Sequence, residues 1–379
     1  MKKKILVVTE RRADYSKLRP ILKEIEKSKN LDYYLIVTGT HLLKNYGHTI
    51  DEIKNDGFKI HATFKMHKSN DNTGADMVSA FGRAVLKLST IIEKVKPDIV
   101  LSGFDIGGNF ASAIAGAHMN IIVAHVEGGE ITGTIDEPIR HAITKFSHIH
   151  FTSNADASKR IVKMGENPKF VFTVGNTSLD GIKKVENIPI ENLEKKYHIN
   201  FKKPYIIILQ HTVTTEIDSI EEKISQTIKA IKELEIQCIV IGGNADAGSK
   251  KIDQVIKDSK IKKYLTVPYN EYVNLLKHCS ALVGNSSSGI IEAPFLHIPT
   301  INIGTRQDGR LRADSIIDVK YNKNEIKKAI NKCIRDTTFL NNVKTYKSLY
   351  GNGDSAKKIV KILENIDLKK IPIQKKMGY

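Results

Sequence analysis

The chain has 379 residues, 41% of them hydrophobic, with 59 Lys and Arg against 42 Asp and Glu and a formal charge of +17, which suits a globular protein of two domains. The basic surplus is spread over helix faces such as KKVENIPIENLEKK and NKNEIKKAINKC rather than gathered beside aromatics, which argues against nucleic acid as a partner. The apolar run that follows MKKK covers only Ile5 to Val8, too short for a signal peptide or a membrane span, so no membrane partner is expected.

In chain order, KILVV (4 to 8), YYLIV (33 to 37), DIVLSG (98 to 103), NIIVAHV (120 to 126) and HIHFTS (148 to 153) are near-continuous apolar runs, most of them followed by a helix-period segment. Parallel strands buried on both faces read this way. A polar passage around 183 to 203 breaks the pattern. It restarts with YIIIL (205 to 209), QCIVIG (237 to 242), ALVG (281 to 284) and TINIG (300 to 304), and closes with the amphipathic SAKKIVKILENI (355 to 366). The expectation is an α/β protein of two Rossmann-like, doubly wound domains facing each other across a cleft. Residues 1–185 form the first, 186–354 the second, and 355–379 a helix and tail packing back on the first. Sites belong at the carboxyl ends of the strands.

Candidate residues cluster at those ends. The first strand leads into TERRADYSKL, where Arg12, Ser16 and Lys17 surround a helix start; no GxGxxG is present, which counts against nicotinamide or flavin. Arginine there suits a phosphate, and a positive cleft concentrates phosphate-bearing ligands. In the second half, VGNSSSGIIEAPF places Ser286, Ser287 and Gly289 between a strand and a helix, a phosphate cradle. Glu292, one turn in, can accept from ribose hydroxyls; Tyr272 can stack on a base, and Arg306 can close over a diphosphate. Each has a plainer role: surface charge, core packing or a surface ion pair. His125, His141, His148 and His150 show no metal spacing, and no metal is expected. Cys238, Cys279 and Cys333 are widely separated and read as reduced packing residues, as the cytoplasm would keep them. Four acids, Glu127, Glu130, Asp136 and Glu137, fall within HVEGGEITGTIDEPIRH (125 to 141).

The segments RADYSKL (12 to 18), HVEGGEITGTIDEPIRHAITKFSHIHF (125 to 151), NADAGS (244 to 249), GNSSSG (284 to 289) and INIGTRQ (301 to 307) resemble those of the hydrolysing UDP-N-acetylglucosamine 2-epimerases of sialic acid and related nonulosonic acid biosynthesis. The resemblance runs from the first strand to about residue 320, and its most specific part is the block at 125 to 151. It implies a glycosyltransferase type B fold, a dimer or tetramer, no cofactor, and a nucleotide sugar such as UDP-GlcNAc as substrate. Matched residue by residue, Asp105, Glu127 and Asp136 take the places of the catalytic carboxylates and His211 that of the histidine near the diphosphate. Arg12, Ser16, Asn244, Ser286, Ser287, Glu292 and Arg306 fall on UDP contacts, with Tyr272 and Gly289 beside them.

Such a reaction removes the proton on C2 as UDP leaves C1, giving a 2-acetamidoglucal; water then adds, a proton returning to C2 from the opposite face, to release N-acetylmannosamine. Paired carboxylates can exchange acid and base roles across these steps. The plainer role open to Asp105 and Asp136 is helix capping. Glu130 and Glu137 are expected only to orient Arg140 or His141. One departure stands out: Phe104-Asp105-Ile106 replaces the family's Gly-Asp-Arg, with Arg310 or Arg312 as a candidate stand-in for the arginine. A non-hydrolysing epimerase, a type B glycosyltransferase, a hydrolysing epimerase of a GDP-linked or 4-amino-modified sugar, and a silent nucleotide-sugar binder are the alternatives.

Overall fold

The computed structural model describes every residue except Met1, Ser69, Asn70, Asn72, Ile106, Gly243, Asn244, Ala245, Met377 and Tyr379. The readings made on Ile106 and Asn244 therefore lie outside the described residues. Among those described, the apolar runs form two sheets. The first contains β1 (Lys3–Thr9), β2 (Leu31–Val37), β3 (Ile60–Thr63), β4 (Ile99–Gly103), β5 (Ile122–Val126), β6 (Ile149–Thr152) and β7 (Val171–Thr173), in the order β3-β2-β1-β4-β5-β6-β7. The second contains β8 (Tyr205–Leu209), β9 (Gln237–Ile241), β10 (Lys263–Tyr264), β11 (Ala281–Gly284), β12 (Thr300–Ile303) and β13 (Ile316–Val319), in the order β10-β9-β8-β11-β12-β13. All described strand pairs are parallel. Strand order reverses between β1 and β4 and between β8 and β11, the switch points where such sheets hold ligands.

Central strands are the legible ones because helices cover both their faces, so each position is apolar. Ile5, Leu6, Val7 and Val8 are fully buried, as are Ile99, Val100 and Leu101. The edge strands β3, β7, β10 and β13 contain no buried residue. Their pattern is too short and too polar to announce a strand, and the sequence reading missed all four. The polar passage at 183 to 203 was read as a break. It holds a helix, Ile190–Tyr197, whose Leu193 and Tyr197 join Ile199 in the core beneath the second sheet.

Two compact units follow from these cores. One comprises Met1–Glu130, Ile135–Lys183 and Tyr350–Tyr379; the other comprises Lys184–Leu349 together with the short segment Ile131–Thr134. The helix Ser355–Asn365 belongs to the first unit, where Ala356, Ile359, Val360 and Leu363 complete its core. Both helix ends are tied down. Asp180 accepts from the backbone N–H groups of Ser355 and Ala356 at 3.1 and 2.8 Å, and Lys3 Nζ donates to the carbonyls of Leu363, Glu364 and Ile366 at 3.0, 2.9 and 2.8 Å. Charges at these two ends complement the helix dipole. No described helix is long and apolar enough to cross a membrane.

A buried ionic knot supports the β5–β6 side of this unit. Glu166 pairs with Lys145 and Lys375, each at 2.6 Å, and with His150 Nε2 at 3.2 Å. Burial opposes its ionisation, but the hydrogen bonds from His150, Lys145 and Lys375 outweigh that and hold its pKa down at about 2. Stability from this carboxylate is thus fully present above its ordinary value of 4.5 and is lost as pH falls toward about 2. Glu166→Gln should be less stable than the parent at pH 7, with the gap narrowing below about pH 4.5; equal gaps at pH 7 and pH 3 in urea titrations would contradict this. Leu363→Ala should lower stability by about 2–5 kcal/mol through the cavity it leaves, seen as a lower urea midpoint, and an unchanged midpoint would show that the helix is not part of the core.

Candidate active site

In the first unit β1, β4 and β5 are neighbours, and a carboxylate follows each: Glu10, Asp105 and Glu127. Glu10 is 1% exposed. Its Oε2 accepts the Gly108 N–H at 2.6 Å, at the start of the helix Gly107–His118, and its Oε1 accepts from Arg11 at 3.0 Å and lies 3.3 Å from His67 Nε2. Burial raises its pKa, but Arg11, His67 and the Gly108 N–H prevail and hold it well below the carboxylate range. The chain therefore fills this helix N-terminus with its own anion. Asp14 braces the same turn by accepting from the Glu10 and Arg11 N–H groups, both at 2.9 Å. Arg12 opens the helix Arg12–Lys27 and is half-buried, while Ser16 donates to the Ala13 carbonyl at 2.9 Å.

The next two strand ends are bent sharply. Phe104 has φ +66° and Glu127 φ +60°, a left-handed conformation that non-glycine residues adopt at a cost and that concentrates at functional sites. Hydrogen bonds from Phe104 N–H to the Val126 carbonyl (3.1 Å) and from Glu127 N–H to the Phe151 carbonyl (2.8 Å) hold the bends. Glu127 is 2% exposed; its Oε2 is 2.6 Å from Lys17 Nζ, and its Oε1 has no hydrogen-bond partner among the described residues. Lys17 also lies over the Phe104 ring, 4.9 Å from its centroid.

Asp105 is gripped by Arg140, whose side chain is 1% exposed and whose Nη1 also donates to the Glu130 carbonyl at 3.1 Å. The Glu130 carboxylate accepts from Asn154 at 2.6 Å, and Glu137 faces His141 one turn on at 3.8 Å. Asp136 is half-buried and is the first residue of the helix Asp136–Phe146. The cap position belongs to Ile135, with Asp136 and Glu137 in the first turn, where acids complement the helix dipole. Deeper in, burial with His150 and Arg140 nearby pushes the His125 pKa well down, leaving a neutral ring with Nδ1 3.2 Å from the Thr144 hydroxyl.

In the second unit one buried side chain gathers the strand ends. Asn285, just after β11, accepts the His211 N–H at 2.7 Å and donates to the His211 carbonyl at 2.9 Å, while its own carbonyl accepts from Arg306 (3.2 Å) and Gln307 (2.9 Å). His211 and Arg306 follow β8 and β12, so the three central strand ends are locked together. Ser286 and Ser287 lead into the helix Ser288–Phe295, with Ser287 in the cap position. Gly289 has a packing reason to be glycine, since a Cβ there would lie 2.5 Å from Thr300 Cγ2. Tyr272, Ser288 and Glu292 form a hydroxyl–hydroxyl–carboxylate chain. Within the same unit the Arg306 carbonyl accepts from Gly133 N–H (3.1 Å) and the Thr132 hydroxyl (2.8 Å). Arg310 donates to the Ile131 carbonyl at 3.1 Å and Arg312 pairs with Asp318 at 2.9 Å, so each candidate stand-in arginine has a partner in its own unit.

Ser288 and Asn285 had no role in the sequence reading, and Lys17 and Arg140, though named there, were not matched to Glu127 and Asp105. For Lys17 and Arg140 the only signal was a cation near an acid-bearing motif. For Asn285 it was a polar residue directly after a buried strand. Among the described residues, no group of three His, Cys, Asp or Glu side chains could hold a metal ion.

A family model described as UDP-N-acetylglucosamine 2-epimerase matches residues 23–364. The UDP-N,N'-diacetylbacillosamine 2-epimerase (hydrolyzing) of Legionella pneumophila is 34% identical over 374 residues, 97% of each chain. The UDP-N-acetylglucosamine 2-epimerase of Neisseria meningitidis serogroup B is 36% identical over 331 residues, 86% of each chain. Among solved structures, a UDP-GlcNAc 2-epimerase from Neisseria meningitidis bound to UDP-GlcNAc aligns with TM-score 0.81 at 19% identity, over 95% of this chain and 99% of that one. That likeness establishes the fold, the two-domain glycosyltransferase B type. By the family model and by relatives above 30% identity over most of its length, the chain belongs to the UDP-N-acetylglucosamine 2-epimerase family.

Proposed function

We propose that the chain is a hydrolysing 2-epimerase that converts a UDP-linked 2-acetamido sugar and water to UDP and the free 2-epimer, for nonulosonic acid synthesis. The substrate is UDP-N-acetylglucosamine or its 4-acetamido relative UDP-N,N'-diacetylbacillosamine, the sugars named for the two relatives above. The observation that carries the chemistry is Glu127: a buried carboxylate on a strained strand end, one oxygen on Lys17 and the other without a partner. An oxygen so placed can take or return a proton without first giving up a hydrogen bond.

In this reading a carboxylate of the first unit removes the C2 proton as the C1–O bond breaks, and UDP departs with the bridging oxygen. The resulting 2-acetamidoglucal then takes a water oxygen at C1 and a proton at C2 on the opposite face. Glu127, Asp136 and Asp105 share these transfers, with Lys17 and Arg140 holding two of them in place. In the second unit Asn244, Tyr272, Ser286, Ser287, Gly289, Glu292 and Arg306 are the proposed UDP contacts, with His211 acting near the diphosphate; in the first unit Arg12 and Ser16 are proposed phosphate contacts. Arginine forks and the helix start after β11 suit the diphosphate, and the Ser288–Glu292 pair suits ribose hydroxyls.

The test is to incubate the pure protein with each UDP-sugar in deuterated water and follow the products by proton NMR. Free UDP with a 2-epimerised sugar carrying deuterium at C2 is expected; an intact epimerised UDP-sugar would overturn hydrolysis, and UDP binding without turnover would leave a silent binder. Glu127→Gln and Asp136→Asn should each lower turnover by at least about 10²-fold while UDP affinity stays within a few fold, and near-normal turnover would remove that residue from the mechanism. Arg140→Met should lower turnover by at least about 10²-fold and lower stability by about 1–3 kcal/mol, since it removes the guanidinium from the partly exposed Asp105 and a donor from the Glu130 carbonyl; a variant as active as the parent would contradict the role given to the Asp105 pair.

A further inference from the structure

The last turn of an α-helix leaves its carbonyls without intrahelical partners. In the helix Asp136–Phe146 that end is closed by a residue far along the chain. Lys375 Nζ donates to the carbonyls of Thr144 (3.1 Å), Lys145 (2.9 Å) and Ser147 (2.5 Å) and pairs with Glu166 at 2.6 Å. A cation there also complements the negative end of the helix dipole. The tail that carries Lys375 is anchored on both sides of it. Ile371 is 4% exposed within the core of the first unit, His148 Nε2 is 3.1 Å from the Ile373 carbonyl, and Gly378 N–H donates to the Gly165 carbonyl at 2.9 Å.

The other end of the same helix carries Asp136 and, one turn on, the Arg140 that grips Asp105 and the Glu130 carbonyl. Thr144 joins the two ends to β5. Its carbonyl takes Lys375 while its hydroxyl meets His125, two residues before Glu127. One helix thus carries Asp136, holds Asp105 through Arg140 and meets β5 at His125, two residues before Glu127.

We propose that Lys375 is a positioning residue for these carboxylates: it fixes the axial placement of the helix Asp136–Phe146, and the tail at Ile371–Lys375 is part of the apparatus that orders the site without touching substrate. The inference rests on the epimerase reading. Small displacements are enough to matter, because a misplacement of about 1 Å can cost roughly 10²-fold in rate.

The test compares Lys375→Met with the parent and with Lys375→Arg, which keeps the charge and the donors. Lys375→Met should lower kcat about tenfold or more while KM and UDP affinity stay within about twofold, and Lys375→Arg should recover most of the loss. Hydrogen exchange read by mass spectrometry should show faster exchange in residues 136–147 of the Met variant than in the parent. Should Lys375→Met fail to fold, Lys375→Gln replaces it with the same readouts. A parent-like kcat, or a kcat that falls only in proportion to the folded fraction, would overturn the inference while leaving the epimerase reading intact. A parent chain that turns over neither UDP-sugar would defeat both.

Discussion

A buried carboxylate persists in a fold only with a partner, because withdrawing its charge from water costs on the order of several kcal/mol. Glu127 at the end of β5, 2% exposed, meets this constraint with a cation delivered from another element, and the partly exposed Asp105 after β4 is paired in the same way. Lys17 comes from the first helix to Glu127, and Arg140 comes from the helix after β5 to Asp105. Removing Lys17 would leave the buried Glu127 without its cation, so this pair ties the first helix to the end of β5. The left-handed backbone at Phe104 and Glu127 is held by the same frame, since each bend is hydrogen-bonded to the adjacent strand. Strain of about 1–3 kcal/mol per residue persists only where surroundings over-determine it, and here they do.

The second unit solves a different problem with a neutral side chain. Asn285 uses its amide and its carbonyl to tie the ends of β8, β11 and β12. Three loops that carry His211, the serine run and Arg306 are thereby held on one rigid scaffold, which is how precise sites are built. The basic surplus of the chain and the acid-rich stretch at 125 to 141 are then compatible. Within the stretch Glu127 is paired with Lys17, Glu130 accepts from Asn154 and Glu137 faces His141, while the surplus of Lys and Arg elsewhere in the chain suits the diphosphate of the proposed substrate.

How much of this was legible depended on what kind of pattern each residue makes. Central strands such as Ile5–Val8 and Ile99–Leu101 are apolar at every position and were found within a residue or two; β3, β7, β10 and β13, with no buried residue, leave no such trace. The helix at 190–197 hid in a polar passage because only Leu193 and Tyr197 face its core. Asp105, Glu127 and Asp136 were named because their motifs are local. Lys17–Glu127 spans 110 positions and Lys375–Thr144 spans 231, and no local pattern encodes such a meeting. The reason for Glu10, filling the helix start at Gly108, exists only in three dimensions.

The proposed reaction moves protons at a sugar carbon with carboxylates of the first unit and breaks the C1–O bond, not a phosphorus–oxygen bond. Reaction in water enriched in oxygen-18, with the sugar and UDP analysed separately by mass spectrometry, tests this most directly. One heavy oxygen is expected in the released 2-epimerised sugar, at C1, and none in UDP. Label in the UDP phosphate, or release of the sugar without label, would contradict it.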